Sequence, residues 1–205
     1  MQNSAKPKGG PLRQEGEMEE IERELREGIE VAQAMLLKST ETIKKTAQAL
    51  IQCLKKGHTI YLMGNGGSAA EAQHFAGELI GRFKKDRAAL PALALTSNTS
   101  ILTALANDYG FDCCFERQVD AFVKAGDAVI GLSTSGNSPS VLKALQLARK
   151  KGAITIGLTG QSGGKMKDMV DICLRVPSDS TPRIQECHLA VSHVLCYLIE
   201  KELFG

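Results

Sequence analysis

Residues 59–69 read Thr59-Ile60-Tyr61-Leu62-Met63-Gly64-Asn65-Gly66-Gly67-Ser68-Ala69, and helical spacing follows to about Arg82. An apolar, uncharged run too short for a helix and closed by a glycine-rich loop is the pattern of a strand buried on both faces. The same succession of strand, small polar loop and helix returns at 127–132, at Ser133-Thr134-Ser135-Gly136-Asn137-Ser138-Pro139, and at 140–151. Further short apolar runs stand at 90–95, 153–158 and 171–176, with helix-like stretches between them. Five such strands predict an α/β three-layer sandwich around a five-stranded parallel sheet. Ligands of these sheets bind beyond the carboxyl ends of the strands, so loops 64–68 and 133–138 are the first places to look for function.

Upstream, apolar residues recur at helical spacing from Met18 to about Lys38 and again from Thr40 to Lys56, with Gly57 as a stop signal. Two amphipathic helices therefore precede the first strand, and such a pair suits a subunit contact. Residues 1–15, rich in Lys, Gly, Pro and Gln, lack periodicity and read as a disordered tail ahead of a single domain over 16–205. The 205 residues carry 25 Lys plus Arg against 23 Asp plus Glu. A net charge of +2 gives no overall field for nucleic acid or an acidic membrane, so an anionic ligand must be held by a local site. No apolar run approaches the roughly 18–20 residues that span a bilayer, and the first fifteen residues hold no signal-peptide core. The six cysteines form no CxxC pair and several fall in apolar runs, which points to a reducing cytoplasm without disulfides.

Both loops suit a small anion. Glycine lets the backbone approach a ligand, Ser and Thr hydroxyls donate hydrogen bonds, and a helix N-terminus presents free N–H groups with partial positive charge. A phosphate fits loop 133–138 without any lysine. The same residues also make ordinary capped turns between strand and helix. GxxxxGK[ST] is absent, and residues 64–69 satisfy only the degenerate GxGxxA form without an acidic residue ending the next strand, which lends a dinucleotide little support.

His74 and Glu78 lie one helical turn apart on one face. Gln185 and His193, eight residues apart in the last helix, also share a face, whereas His188 is rotated from His193 by about 140°. The apolar neighbours Val191, Val194 and Leu195 predict that His193 faces inward. A satisfied core histidine and a helix-surface ion pair are the plain alternatives. Together, however, His74, Glu78, Gln185 and His193 offer two imidazoles, a carboxylate and an amide oxygen, a donor set compatible with Zn²⁺ and one exchangeable position. Asn107-Asp108-Tyr109-Gly110 reads as a turn, and Arg82-Phe83-Lys84-Lys85-Asp86-Arg87 as a solvated charged loop.

Taken together, Gly64-Asn65-Gly66-Gly67-Ser68, His74-Phe75-Ala76 with Glu78, Gly81-Arg82-Phe83, Ala106-Asn107-Asp108, Ser133-Thr134-Ser135-Gly136-Asn137-Ser138, Leu158-Thr159-Gly160 with Gly163-Gly164-Lys165-Met166, and Arg183-Ile184-Gln185-Glu186 with His188 resemble the phosphoheptose isomerases of the sugar isomerase (SIS) family, over about Ile43 to Phe204. The resemblance implies a flavodoxin-like sandwich assembled as a homotetramer with active sites between subunits. It implies conversion of sedoheptulose 7-phosphate to D-glycero-D-manno-heptose 7-phosphate, a first step towards the heptose of lipopolysaccharide or surface glycans. By the same resemblance Ser133, Thr134, Ser135, Ser138 and Ser68 hold the phosphate. Asn65, Gly66 and Gly67, with Asn107, Asp108 and Gln185, line the sugar, and His74, Glu78, Gln185 and His193 bind zinc.

Moving a proton between adjacent carbons through an enediol needs a base, an acid and a group that stabilises the developing oxyanion. Glu78 is the expected base and His193 the expected acid, although a carboxylate bound to zinc is a weaker base. Two other functions compete: a non-catalytic tetramer that binds the replication initiator, and an isomerase of another sugar phosphate. The presence of both Glu78 and His193 favours the enzyme over the binding factor.

Overall fold

The computed structural model describes residues 14–205. The strands are β1 (Ile60–Gly64), β2 (Ala92–Ala94), β3 (Ala128–Leu132), β4 (Ile154–Thr159) and β5 (Ile172–Arg175). All pair in parallel, in the order β2-β1-β3-β4-β5. Because side chains alternate across a sheet, Ile60 and Leu62 enter one core while Tyr61 and Met63 enter the other.

The helices that cover the sheet are α1 (Gln14–Lys38), α2 (Thr40–Lys55), α3 (Gly67–Ile80), α4 (Thr99–Tyr109), α5 (Glu116–Phe122), α6 (Pro139–Lys150) and α7 (Thr181–Phe204). One core packs Leu50 and Leu54 of α2, Phe75 and Leu79 of α3 and Leu195 and Ile199 of α7 against Ile130, Leu132, Ile156 and Leu158. The other packs Val119 of α5 and Val141 and Leu145 of α6 against Val129. Each such side chain contributes about 1.5–3 kcal/mol when fully withdrawn from water. This is the three-layer sandwich expected from the apolar runs. Its strand order reverses between β1 and β3, so the loops after these two strands flank the point where such sheets bind ligands.

The structure differs from expectation in several places. α1 reaches back to Gln14, while the rest of the expected tail, residues 1–13, lies outside the described residues. β2 is three residues long where six were expected, since Pro91 has no N–H for the ladder and the strand sits at the sheet edge. Asn107 and Asp108, expected in a turn, occupy the last helical turn of α4. The side chain of Asn98 accepts from Ile101 N at 3.0 Å and starts that helix, and Gly110, at φ 86°, ends it. Finally, α1 leaves Met18, Ile21, Leu25, Ile29 and Leu36 exposed, an apolar stripe that this chain does not bury. All six cysteines are free.

Candidate active site

The site begins where β1 and β3 hand over to α3 and α6. Gly66 adopts φ 56°, a conformation side chains disfavour, and stands at the start of α3 with no side chain to cap it. Ser138 starts α6, yet its hydroxyl does not cap the helix: it lies 2.9 Å from Ser133 Oγ. Ser133 Oγ is also 3.5 Å from Ser135 Oγ, which accepts from Asn137 N at 3.2 Å. In an ordinary capped turn a serine would satisfy the helix N–H groups. Here the hydroxyls cluster with one another and both helix N-termini lack side-chain caps, the arrangement that receives an oxyanion.

Asn65 bridges the two loops by donating to Ser140 Oγ at 3.1 Å, while its own Oδ1 is buried without a partner. An acceptor left unpaired in this way is ready for a ligand hydroxyl. Ser68 and Ser133 are buried, Thr134 and Ser138 half-buried, and Ser135 and Gly67 exposed. Residues 160–166 support the second loop from behind. Gly160 N donates to Thr134 O, Lys165 N to Asn137 Oδ1 and Met166 N to Gly136 O. Gly136, at φ 65°, faces the carbonyl of Gly163 so closely that any side chain would collide with it.

From this end the polar residues continue along the seam where α3 and α7 run side by side in the same direction. The amide of Gln185 lies against Gly67, where a Cβ would strike it. Next comes Glu71, whose Oε2 is 3.8 Å from Nδ1 of the fully buried His188; His188 Nε2 is 3.3 Å from Thr159 O. Farther along, His74 Nε2 is 2.8 Å from His193 Nε2 and 3.4 Å from Glu78 Oε1. Donor atoms of His74, Glu78 and His193 all lie within 4.8 Å of one another.

Two nitrogens facing each other at hydrogen-bond distance require one proton between them, whereas a cation would take both lone pairs together with the carboxylate. Two imidazoles and a carboxylate are a donor set suited to Zn²⁺. Gln185 is not beside these three in the chain. It lies eight residues before His193, about 12 Å along the helix axis, so sharing a face does not bring the two together. The two ends of the seam are similarly separate, since Ser68 and Glu78 stand about 15 Å apart along α3.

His193 is half-exposed, contrary to the inward orientation expected from its apolar neighbours. Val191 and Leu195 are buried, and residues two apart on a helix point about 200° from each other, so His193 faces the opposite way. The fully buried histidine is His188. Asn107 and Asp108 are exposed, with Asn107 donating to Asp108 Oδ1 at 2.8 Å.

The charged segment 82–87 is not simply solvated. Phe83 lies against the His193 ring, centroids 5.5 Å apart and planes 29° apart, while Arg87 pairs with Glu200 in the interior. Sequence reasoning missed Glu200. Its signal was the spacing of seven from His193, which puts a carboxylate on the same face of α7 two turns on.

Comparison with known proteins identifies relatives over nearly the whole described chain. Residues 24–160 match the model of the SIS domain family. A phosphoheptose isomerase of Geobacter metallireducens is 54% identical over 91% of this chain and 98% of its own length, and one of Trichlorobacter lovleyi is 53% identical over 90% and 94%. Among solved structures, a phosphoheptose isomerase from Neisseria gonorrhoeae superposes with a TM-score of 0.86 at 42% identity, covering 90% of this chain and 98% of that one. One from Francisella tularensis gives 0.88 at 36% identity, with the same coverage.

Proposed function

The chain belongs to the SIS domain family, and on that premise we propose that it is an aldose–ketose isomerase that converts sedoheptulose 7-phosphate to D-glycero-D-manno-heptose 7-phosphate for heptose biosynthesis. The observation that carries the catalytic reading is the convergence of His74, Glu78 and His193 on one point. Ser133, Thr134, Ser135, Ser138 and Ser68 hold the phosphate at the two uncapped helix N-termini, and Asn65 turns its free Oδ1 to a sugar hydroxyl.

Glu78 removes the C1 proton and returns it to C2, leaving an enediol between the two transfers. His193 gives a proton to the C2 oxygen and recovers one from the C1 hydroxyl, so no external acid or base is consumed. Zn²⁺ held by His74, Glu78 and His193 would polarise the substrate's oxygens. His74 fixes the His193 ring from its edge, with centroids 5.0 Å apart.

The functional unit is a homotetramer with sites between subunits. The unburied stripe of α1 supports this, as does an apolar hollow of about 450 Å³ lined by Met35, Leu36, Ile43, Val191, Val194 and Leu198. The separation along the seam supports it too. Six C–C bonds with the C–O and O–P bonds of the phosphate ester reach at most about 12 Å, whereas the backbones of Ser68 and Glu78 are about 15 Å apart along α3, so one copy spans the distance only with its side chains extended towards each other. We read the phosphate end of one copy as working with the imidazole end of another, which also lets Gln185 of the first copy, at its phosphate end beside Gly67, complete the metal set of the second. Among the described residues no helix is long and apolar enough to cross a membrane, and the free thiols support the cytoplasm as the place of action.

An NMR time course of sedoheptulose 7-phosphate with the protein, after chelation and again with zinc restored, tests the reading. Zinc-dependent appearance of an aldoheptose phosphate is expected. No conversion by folded protein in either condition would transfer the assignment to a non-catalytic binding factor, and preference for a hexose or pentose phosphate would overturn the substrate.

A further inference from the structure

Segment 81–87, with its row of cations, is bound to the molecule from inside. Glu200, buried on α7, accepts Phe83 N and Lys84 N at 2.9 Å, Lys85 N at 3.2 Å and Arg87 Nε at 3.1 Å. One carboxylate thus fixes three consecutive peptide groups and a guanidinium. Burial alone would raise the Glu200 carboxyl, but the Lys84, Phe83 and Lys85 N–H groups and the Arg87 charge outweigh it and hold it below the ordinary carboxylate value.

Arg87 spends its remaining donors on the end of α3. It reaches Glu78 O at 2.8 Å, Leu79 O at 2.7 Å and Gly81 O at 3.1 Å. These are carbonyls that a helix end leaves without intrahelical partners, and one belongs to Glu78 itself. The same segment stacks Phe83 on the His193 ring with planes 29° apart, while His74 meets that ring edge-on at 63° between planes. The imidazole is therefore held by an aromatic face and by the His74 Nε2 that its own Nε2 faces at 2.8 Å.

We propose that Phe83, held by the Glu200–Arg87 clamp, is a positioning residue that sets the orientation of His193 for metal binding and proton transfer. It rests on the reading of His74, Glu78 and His193 as the metal-binding and catalytic group. Phe83 touches no reacting atom. Its role is to remove alternative rotations of an otherwise half-exposed imidazole, as neighbours of metal ligands do elsewhere.

The test compares Phe83→Leu, which keeps apolar bulk but loses the flat face, with Phe83→Tyr, which retains it. Zinc affinity by chelator competition, the Co²⁺ absorption spectrum, and kcat and KM are read on folded tetramer. Phe83→Leu is expected to weaken zinc binding and lower kcat, each by about tenfold to a hundredfold, with KM little changed and an altered Co²⁺ spectrum. Phe83→Tyr should restore all three. Should Phe83→Leu not fold, Glu200→Gln serves instead: it keeps an acceptor for the N–H groups and loses the charge facing Arg87, and the same changes in smaller measure are expected. Wild-type affinity, spectrum and kcat in folded Phe83→Leu, or a Phe83→Tyr as defective as Phe83→Leu, would overturn the proposal. His193→Asn separates this from failure of the underlying reading. If that variant keeps zinc and turnover, the catalytic assignment itself falls; if it loses both while Phe83→Leu does not, only the role of Phe83 does.

Discussion

The two ends of the α3–α7 seam are built by different means. At the start of α3 the site is made of backbone and hydroxyls: uncapped helix N-termini, glycines that admit close approach, and a serine cluster backed by residues 160–166. Its geometry follows from chain direction at the β1/β3 reversal, so little depends on any one side chain. At the other end three side chains meet at one point, and their placement depends on packing partners far away in sequence, Phe83, Arg87 and Glu200. Single substitutions should thus be graded at the first end and severe at the second.

The most severe loss is expected at Glu78. Glu78→Gln keeps the shape and removes the basic carboxylate, so kcat should fall by about 10²–10⁴-fold with the fold retained. Near-normal turnover would remove Glu78 from the role of base and blur the distinction between the ends.

Glu200→Ala probes the packing behind the same end. It leaves Arg87 charged, buried and unpaired, and should cost about 3–5 kcal/mol in urea denaturation. The pH dependence has a definite sign. The folded carboxyl titrates below its ordinary value of 4.5, so its contribution is fully present above that value and is lost as pH falls through the lower folded one. Wild-type protein should therefore lose more stability than Glu200→Gln over that acid window in thermal melts, and parallel curves would deny the clamp its energetic role.

A smaller effect is expected at the phosphate end. Ser135→Ala removes one of several donors and should raise KM by about 1–3 kcal/mol in binding terms with kcat nearly unchanged. If KM and kcat both stayed at wild-type values, Ser135 would not contact the phosphate.

How much of this was legible in the sequence follows the same division. The strands were readable because parallel strands buried on both faces are continuous apolar runs, and the two loops because glycine and serine clusters are punctuation in any such chain. β2 was overextended because an edge strand next to Pro91 ends for reasons of pairing, not of hydropathy. Asn107 and Asp108 looked like a turn, yet the Asn98 cap carries the helix through them. His193 was misdirected by adjacency in sequence, since neighbours two apart on a helix oppose rather than share a face. The separation of Gln185 from His193 follows from the axial rise, which a count of shared faces ignores. The clamp was invisible because Glu200 and residues 83–87 are joined only by the fold.

The claim that joins both ends is that each active site takes its phosphate loop from one copy and its imidazole–carboxylate group from another. Subunit exchange between two variants, one with Glu78→Gln and one with the loop disabled by Ser133→Ala and Ser135→Ala together, tests it most directly. Each variant alone should be nearly inactive at subsaturating substrate. After exchange in equal amounts, about a quarter of sites should regain both intact halves, with activity to match, because the two defects assort independently between copies. Activity that stays at the sum of the two separate variants, with exchange confirmed by mass spectrometry, would contradict this account, placing the two halves of the site at a fixed relation to each other in every assembly.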